Sequence, residues 1–440
     1  MLFLYDLGIQ LYSFFIRLAS LRSKKAAYWI RGRRNILKLI ENHLDKEVRY
    51  TWFHFASLGE FEQGRPVLEQ LKAEHPETSI LITFFSPSGY EIRKNYALAD
   101  HVFYLPEDTE KNAQEFIRMV NPSMAIFTKY EYWYHYFEEL HRNKIPLFII
   151  SAIFRKEQPF FKWYGSLHRK MLGWVSHFFV QNEASKQLLK EIGIENVTVS
   201  GDTRFDRVTE NARSVKKIPL IEEFCGNKNV FIAGSTWAED EKILHHLMKK
   251  YPDWKFIIAP HEVTAGRINE VKDLFTDHII YSEADARHAE LRKHQTLIID
   301  NIGLLSSVYQ YGMMAYIGGG FGKGIHNSQE ALAFGLPVIF GPEYTKFKEA
   351  VELVALQGAR SISNAGDLEG AFLYFISNPQ SKDIVLHYVQ KHTGATRKIV
   401  EHISEWNPHF APLSSTGSGR TKEGFIKGRN HQEPSNPAEG

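Results

Sequence analysis

One cysteine in 440 residues, Cys225, leaves no partner for an intramolecular disulfide and no CxxC pair for a thiolate-bound metal. That usage fits a reducing compartment, and Cys225 itself is expected to be a small buried apolar residue. There is no G-x-x-x-x-G-K-[ST] and no early G-x-G-x-x-G, which excludes a P-loop and a dinucleotide fingerprint. An excess of one charge is also lacking. The formal net charge is +2, so no nucleic-acid partner is expected. No internal repeat of solenoid period occurs. What remains is an ordinary globular composition, 43% hydrophobic and 24% charged, on a chain long enough for two separate cores.

Acids are missing from residue 7 to residue 40, whereas Arg17, Arg22, Lys24, Lys25, Arg31, Arg33, Arg34 and Lys38 are all basic. Ahead of them, MLFLYDLGIQLYSFFIRLAS carries Asp6, Gln10, Ser13 and Arg17 at spacings of four, three and four. On a helix these form one narrow polar stripe, with Leu, Phe, Tyr and Ile over the rest. An apolar helix followed by a basic segment predicts a membrane anchor over residues 1–24, with the following domain on the cytoplasmic side. Interfacial and spanning modes both stay open. The competing reading is a first core helix of a soluble domain. No small-residue cleavage site marks a removable signal peptide.

The most informative stretch is GMMAYIGGGFGKGIHNSQEALAFGLPVIFGP at 312–342. An apolar strand (313–317) runs into Gly318, Gly319 and Gly320, then a loop with Gly322, Gly324 and His326, then a helix expected to open at Asn327 with Glu330 in its first turn. Glycines at the end of a strand let backbone approach a ligand, and a helix start offers unpaired N–H groups. This predicts a phosphate site.

From residue 50, short apolar runs alternate with amphipathic segments. Strands are expected at 50–56, 79–85, 101–105, 124–128, 146–152, 177–181 and 197–200, and again at 230–233, 255–259, 278–281, 296–299, 313–317 and 337–340. Helical spacing lies between them, for example at 61–74 and 184–192. The pattern predicts α/β architecture with two doubly wound Rossmann-like domains, at 25–207 and 229–385. Between them lies a linker at 208–228. The segment 382–406 reads as helix, of which 386–406 closes the fold, and 407–440 reads as a disordered tail. Ligands of such folds sit at the carboxyl ends of the strands, in the cleft.

Polar corners at strand ends are the candidate site. Ser57-Leu58-Gly59-Glu60 joins the first strand to a helix starting at or near Glu60. Ser57 and Glu60 have the spacing of a capping box, while Glu60 also stands where a carboxylate can accept a proton from an attacking hydroxyl. Ser86-Pro87-Ser88-Gly89 is a similar turn. After the fourth strand comes Lys129-Tyr130-Glu131-Tyr132-Trp133-Tyr134-His135-Tyr136-Phe137, whose aromatics serve either as a sugar or acyl platform or as core. In the second half, Gly234-Ser235-Thr236, Pro260-His261 with Arg267 beyond it, and Asp300-Asn301-Ile302-Gly303 also close strands. With the glycine loop they predict a nucleotide-sugar pocket.

In order and spacing these segments resemble the Kdo transferases, which move 3-deoxy-D-manno-octulosonic acid (Kdo) from CMP-Kdo to a lipid A precursor. The likeness runs to about residue 400. The family's S-V-G-E stands here as Ser57 to Glu60, its T-P-T-G turn as Ser86 to Gly89, and its Q-N-E as Gln181-Asn182-Glu183. The G-N-x-K-F-D segment is Gly201 to Asp206, A-G-S-T is Ala233 to Thr236, and G-G-H-N-x-x-E is Gly324 to Asn327 with Glu330.

The resemblance implies a GT-B fold, an inverting mechanism, no cofactor and no metal. Consistent with the last, no Asp-x-Asp follows a strand. It implies Glu60 as the general base of an acceptor-binding first domain, with Ser57, Gly59, Ser88, Lys129 and Glu131 near the acceptor. The second domain would bind the donor through Ser235, Thr236, His261, Arg267, Asn301, Gly303, Gly319, Gly320, His326, Asn327 and Glu330, with Glu330 on the ribose. A place at the inner membrane in lipopolysaccharide assembly follows from the same likeness. For Glu330, a capping box with Asn327 is the alternative. The chain departs from the family at Lys129 to His135, where E-T-E-L-W-P-N is usual, at Arg267, displaced from R-H-P-E-R, and at Ile325. A GT-B enzyme using a UDP-sugar and a non-catalytic nucleotide- or lipid-binding scaffold are the competing readings.

Overall fold

The computed structural model describes residues 1–406; the expected tail at 407–440 lies outside the described residues. Apolar runs too short for helices become parallel strands buried on both faces. The first sheet holds β1 (Thr51–Phe55), β2 (Ile80–Phe84), β3 (His101–Tyr104), β4 (Met124–Thr128), β5 (Leu147–Ala152), β6 (His177–Val180) and β7 (Val197–Val199), in the order β3-β2-β1-β4-β5-β6-β7. The second holds β8 (Val230–Thr236), β9 (Lys255–Pro260), β10 (His278–Ile280), β11 (Thr296–Ile298), β12 (Met314–Ile317), β13 (Val338–Phe340) and β14 (Ala359–Ser361), ordered β10-β11-β9-β8-β12-β13-β14. Every pairing in both is parallel.

Strand order reverses between β1 and β4 in one lobe and between β8 and β12 in the other. Crevices open at such points, at the carboxyl ends of the strands. Alternation along β1 sends Trp52 to the core on one side of the sheet and Phe53 and Phe55 to the other.

Three expectations are corrected. The edge strand β14 was not expected; it has three residues, and Arg360 and Ser361 are only half-buried. Residues 208–228 are not merely a linker: the helix Pro219–Cys225 buries Ile221, Phe224 and Cys225 in the second lobe's core. The segment 382–406 is two helices, Ser381–His392 and Ala395–Trp406. They part at Gly394, whose φ of 95° suits glycine. The Asp206 carboxylate holds the second helix start, accepting from Gly394 N at 2.5 Å and Thr396 N at 2.7 Å. Val385, Tyr388 and Val389 pack in the second lobe, whereas Ile399, Val400 and Ile403 return to the first, beside Phe61 and Leu68. The closing helix is therefore 395–406.

The helix Leu2–Ala19 lies on the surface, not in a core: Ser13 is its one buried residue. Phe3, Leu4, Leu7, Leu11, Phe14, Phe15 and Leu18 face outward. Its inner side is fixed by polar bonds. Tyr5 donates to the buried Asp108, and Asp6 Oδ1 lies 2.7 Å from His135 Nε2.

Candidate active site

Glu60 sits in the first turn of the helix Leu58–Glu74, directly beyond β1. Ser57 Oγ donates to Glu60 Oε2 at 2.9 Å and accepts no bond from the helix's first N–H groups. The half of a capping box in which the Ser57 side chain accepts is missing, because the hydroxyl is turned onto the carboxylate. Burial, and next the charge of Glu131, push the Glu60 carboxyl above its ordinary value, against Ser57 and Lys129. Gly59 is not sterically required, since an added Cβ would meet nothing closer than Ser57 Oγ at 3.9 Å.

Glu131 stands beside this corner, past the end of β4. Trp133 Nε1 donates to its Oε2 at 3.0 Å, and His54 Nε2 lies 3.3 Å from the same oxygen. Behind His54, Thr83 Oγ1 is 2.8 Å from Nδ1 and accepts from Trp52 Nε1, also at 2.8 Å. A carboxylate oxygen only accepts, so the contact with Glu131 places a proton on His54 Nε2, donated to Oε2; the Thr83 hydroxyl, with two lone pairs, accepts from the Trp52 indole whichever way its bond to Nδ1 runs. This buried relay was not read from the sequence, where His54 and Thr83 look like ordinary strand positions. Lys129 holds a left-handed φ of 59°. Burial, then Arg204, lower its pKa. Ser88 pairs with Ser86, hydroxyl to hydroxyl, at 3.0 Å. Of the aromatics that follow, Tyr134, Tyr136 and Phe137 are core.

In the second lobe, Ser235, His261 and Gly319 stand at or just beyond the ends of β8, β9 and β12, and His326 follows in the glycine loop. The His261 and His326 rings stack 4.0 Å apart, and Trp237 packs 4.9 Å from His261. Trp237 Nε1 donates to His326 Nε2 at 2.9 Å. Indole only donates, so the network assigns neutral His326 its proton on Nδ1. Burial, then His261, hold His326 below its ordinary pKa, which favours that neutral form. A cavity of about 400 Å³ opens here, lined by Trp237, Gly319, Phe321, Lys323 and His326.

Sequence reading missed what holds the glycine loop, because an acidic helix start looks like a solvated face. Asp240, 1% exposed, accepts from Gly319 N at 3.0 Å, Trp237 N at 2.9 Å and Tyr316 OH at 2.6 Å. Glu241 accepts from Thr236 Oγ1 at 2.7 Å and pairs with Arg267, which also meets Glu270 at 3.0 Å. Thr236 and Arg267 therefore both bond to Glu241. Burying the Glu241 carboxylate requires that partner. The helix after the loop opens at Gln329, two residues later than expected, and has one turn. Asn327 Oδ1 accepts from Gln329 N at 3.1 Å while its Nδ2 donates to Glu330 Oε1 at 3.0 Å, so Glu330 forms no capping box either. Burial raises the Glu330 pKa. Asn301 and Gly303 (φ 93°) follow β11, which β9 separates from β8.

Asp240→Ala leaves buried donors without an acceptor and is expected to lower stability by about 1–3 kcal/mol. Urea denaturation measures it. A wild-type midpoint contradicts the pinning role.

Residues 30–207 match the family model described as 3-Deoxy-D-manno-octulosonic-acid transferase (kdotransferase). A 3-deoxy-D-manno-octulosonic acid transferase of Haemophilus influenzae is 29% identical over 370 residues, covering 80% of this chain and 85% of that protein. One of Chlamydophila psittaci is 25% identical over 356 residues, covering 77% and 79%. Among solved structures, the UDP-GlcNAc 2-epimerase from Neisseria meningitidis bound to UDP-GlcNAc aligns with a TM-score of 0.58 at 17% identity, covering 81% of this chain and 100% of that one. At this identity the likeness is one of fold, and the fold is GT-B.

Proposed function

We propose that this glycosyltransferase, which matches the Kdo transferase model over residues 30–207 and is similar to Kdo transferases along most of its length, is a member of that family and moves Kdo from CMP-Kdo to a lipid A precursor, with inversion and with Glu60 as the base. The observation that carries this reading is Glu60 itself: a carboxylate of raised pKa at the switch point of one sheet, with a glycine loop at the switch point of the other. Glu60 takes the proton of an acceptor hydroxyl as its oxygen attacks the anomeric carbon of Kdo. The bond from that carbon to the phosphate oxygen breaks, and CMP leaves with the electron pair. Backbone N–H groups of the loop and the His326 Nδ1–H are suited to meet the charge that grows on the phosphate. Asp240 contributes by keeping Gly319 in place.

Wild-type protein given CMP-Kdo and a tetra-acylated lipid A precursor is expected to release CMP and yield Kdo-bearing lipid. No product overturns the reading, and release of UDP from a UDP-sugar instead favours a different GT-B chemistry.

The outward face of Leu2–Ala19 and the basic residues after it support attachment to the cytoplasmic face of the inner membrane. At 18 residues the helix is about 27 Å long. Replacing Leu7, Leu11, Phe14 and Leu18 together by Ser spares the bonds of Tyr5 and Asp6. Most of the protein is then expected in the soluble fraction after high-speed centrifugation. Unchanged partition means that another surface holds the bilayer.

A further inference from the structure

The helix Tyr134–Arg142 starts without a cap of its own: Trp133 holds the N-cap position and makes no side-chain cap bond. The amino-terminal helix and the turn after β3 supply what is missing. Tyr5 OH accepts from Tyr134 N at 3.1 Å and donates to Asp108. Asp108 in turn accepts from His135 N at 3.2 Å and from Tyr136 N at 3.1 Å. The N–H groups that a helix start leaves open are thus held by residues far off in the chain. Asp108, 3% exposed, is buried at little cost because these donors surround it.

A second contact lies about two turns further along the amino-terminal helix. The Tyr12 ring packs 5.9 Å from Phe85 and 6.0 Å from Trp29, centre to centre. Phe85 packs 4.9 Å from Trp133. Arg33 fixes Phe85 from the other side of the cluster. Its guanidinium lies 4.0 Å from the Trp29 ring and 5.0 Å from that of Phe85, and its Nη2 donates to Phe85 O at 2.8 Å. Both routes end on Trp133, whose indole donates to Glu131. Attachment to a bilayer needs the outward face of the helix and leaves these inward contacts unexplained.

We propose that the amino-terminal helix is also a positioning element of the active site, in which Tyr5 and Tyr12 hold Trp133, and through its indole Glu131, against the Glu60 corner. Glu131 is faced by Glu60 of the helix Leu58–Glu74, His54 of β1, Tyr12 of the amino-terminal helix, and Tyr132 and Trp133 of its own segment. Glu60 is faced as well by Ser57, Lys129 and Tyr130. Loosening Trp133 lets Glu131 move off, and Glu60 then stays ionised to lower pH because a like charge has left it.

The inference rests on Glu60 as the base, and its test separates the two. Tyr12→Leu loses the ring but keeps an apolar side chain, Tyr12→Phe keeps the ring, and Tyr5→Phe loses only a hydroxyl. Membrane partition is expected to match wild type in all three. In purified full-length protein, kcat is expected to fall roughly tenfold in Tyr5→Phe and in Tyr12→Leu, with KM for CMP-Kdo unchanged, since small displacements at an active site carry such penalties. Tyr12→Phe is expected to keep the wild-type kcat. The acid limb of the pH–rate profile is expected to move to lower pH in Tyr5→Phe and Tyr12→Leu, as in Glu131→Gln. Adding Tyr12→Leu to Glu131→Gln is expected to move it no further. Amide hydrogen exchange over residues 132–137 is expected to quicken about tenfold in Tyr5→Phe, the loss of one hydrogen bond. A wild-type kcat in either Tyr5→Phe or Tyr12→Leu overturns the proposal. So does a fallen kcat with the acid limb unmoved, which reduces the tyrosines to packing, and so does an additive shift in the double variant. If wild type transfers nothing, or Glu60→Gln is fully active, the assigned base fails. Exchange over 132–137 still judges the Tyr5 latch in that case, and an unchanged rate removes it.

Discussion

Glu60→Gln is expected to lower the transfer rate by roughly 10²–10⁴-fold while leaving the fold intact. The amide keeps the shape of the carboxyl and can still accept from Ser57 Oγ, but it cannot take a proton. It also removes a charge that burial disfavours, so thermal stability is expected to stay level or rise slightly. A base must be ionised to act. Because burial and Glu131 hold the Glu60 pKa up, activity is expected to fall on acidification at a higher pH than an exposed glutamate would give. Glu131→Gln removes the neighbouring like charge while keeping an acceptor for Trp133, and should move that acid limb to lower pH. Rates against pH for the two single variants decide the matter. A Glu60→Gln protein as active as wild type removes Glu60 from the chemistry, and an acid limb indifferent to Glu131 removes the coupling.

Gly320→Ala is expected to disable the second lobe through backbone alone. An added Cβ would lie 2.6 Å from Gly341 N and 2.7 Å from Gly341 Cα. Neither atom belongs to a side chain that can swing away, so the ends of β12 and β13 must separate. The bond from Glu343 N to Gly320 O, 2.9 Å long, stretches with them. Overpacking of this kind costs about 1–3 kcal/mol or more. Gly322→Ala is the control two residues on, where the nearest atom to a new Cβ is Gly319 O at 3.6 Å, an ordinary contact. Urea midpoints and CMP affinity are expected to fall for Gly320→Ala, with Gly322→Ala staying within about 0.5 kcal/mol of wild type. Equal behaviour of the two variants contradicts the steric account.

Strands were the most legible part of the chain, because a run such as Ile80–Phe84, buried at every position, has no helical alternative of that length. The edge strand Ala359–Ser361 escaped for the opposite reason: it is short, half-wet and carries Arg360. Strand-end corners were legible as places but not as contacts. Ser57–Glu60 and Asn327–Glu330 have capping-box spacing, and in both pairs the side chains bond to each other. Arg267 looked free for a ligand because nothing in a linear sequence shows that Glu241, twenty-six positions earlier, lies against it. Asp240 was hidden by its neighbours Glu239 and Glu241, since three acids in a row read as a solvated helix start. The double helix at the end of the described chain turned on one residue, Gly394, that apolar periodicity does not register.

That last helix has a consequence for how the molecule is born. Ile399, Val400 and Ile403 complete the packing around Phe61, Leu68 and Leu71, yet they leave the ribosome after the whole second lobe. The half that is synthesised first is therefore the half that is finished last, and its oily flank stays wet throughout translation. Any nascent chain stalled before residue 395 carries that strip, with Phe148 and Phe179 beside it, without the helix that covers it.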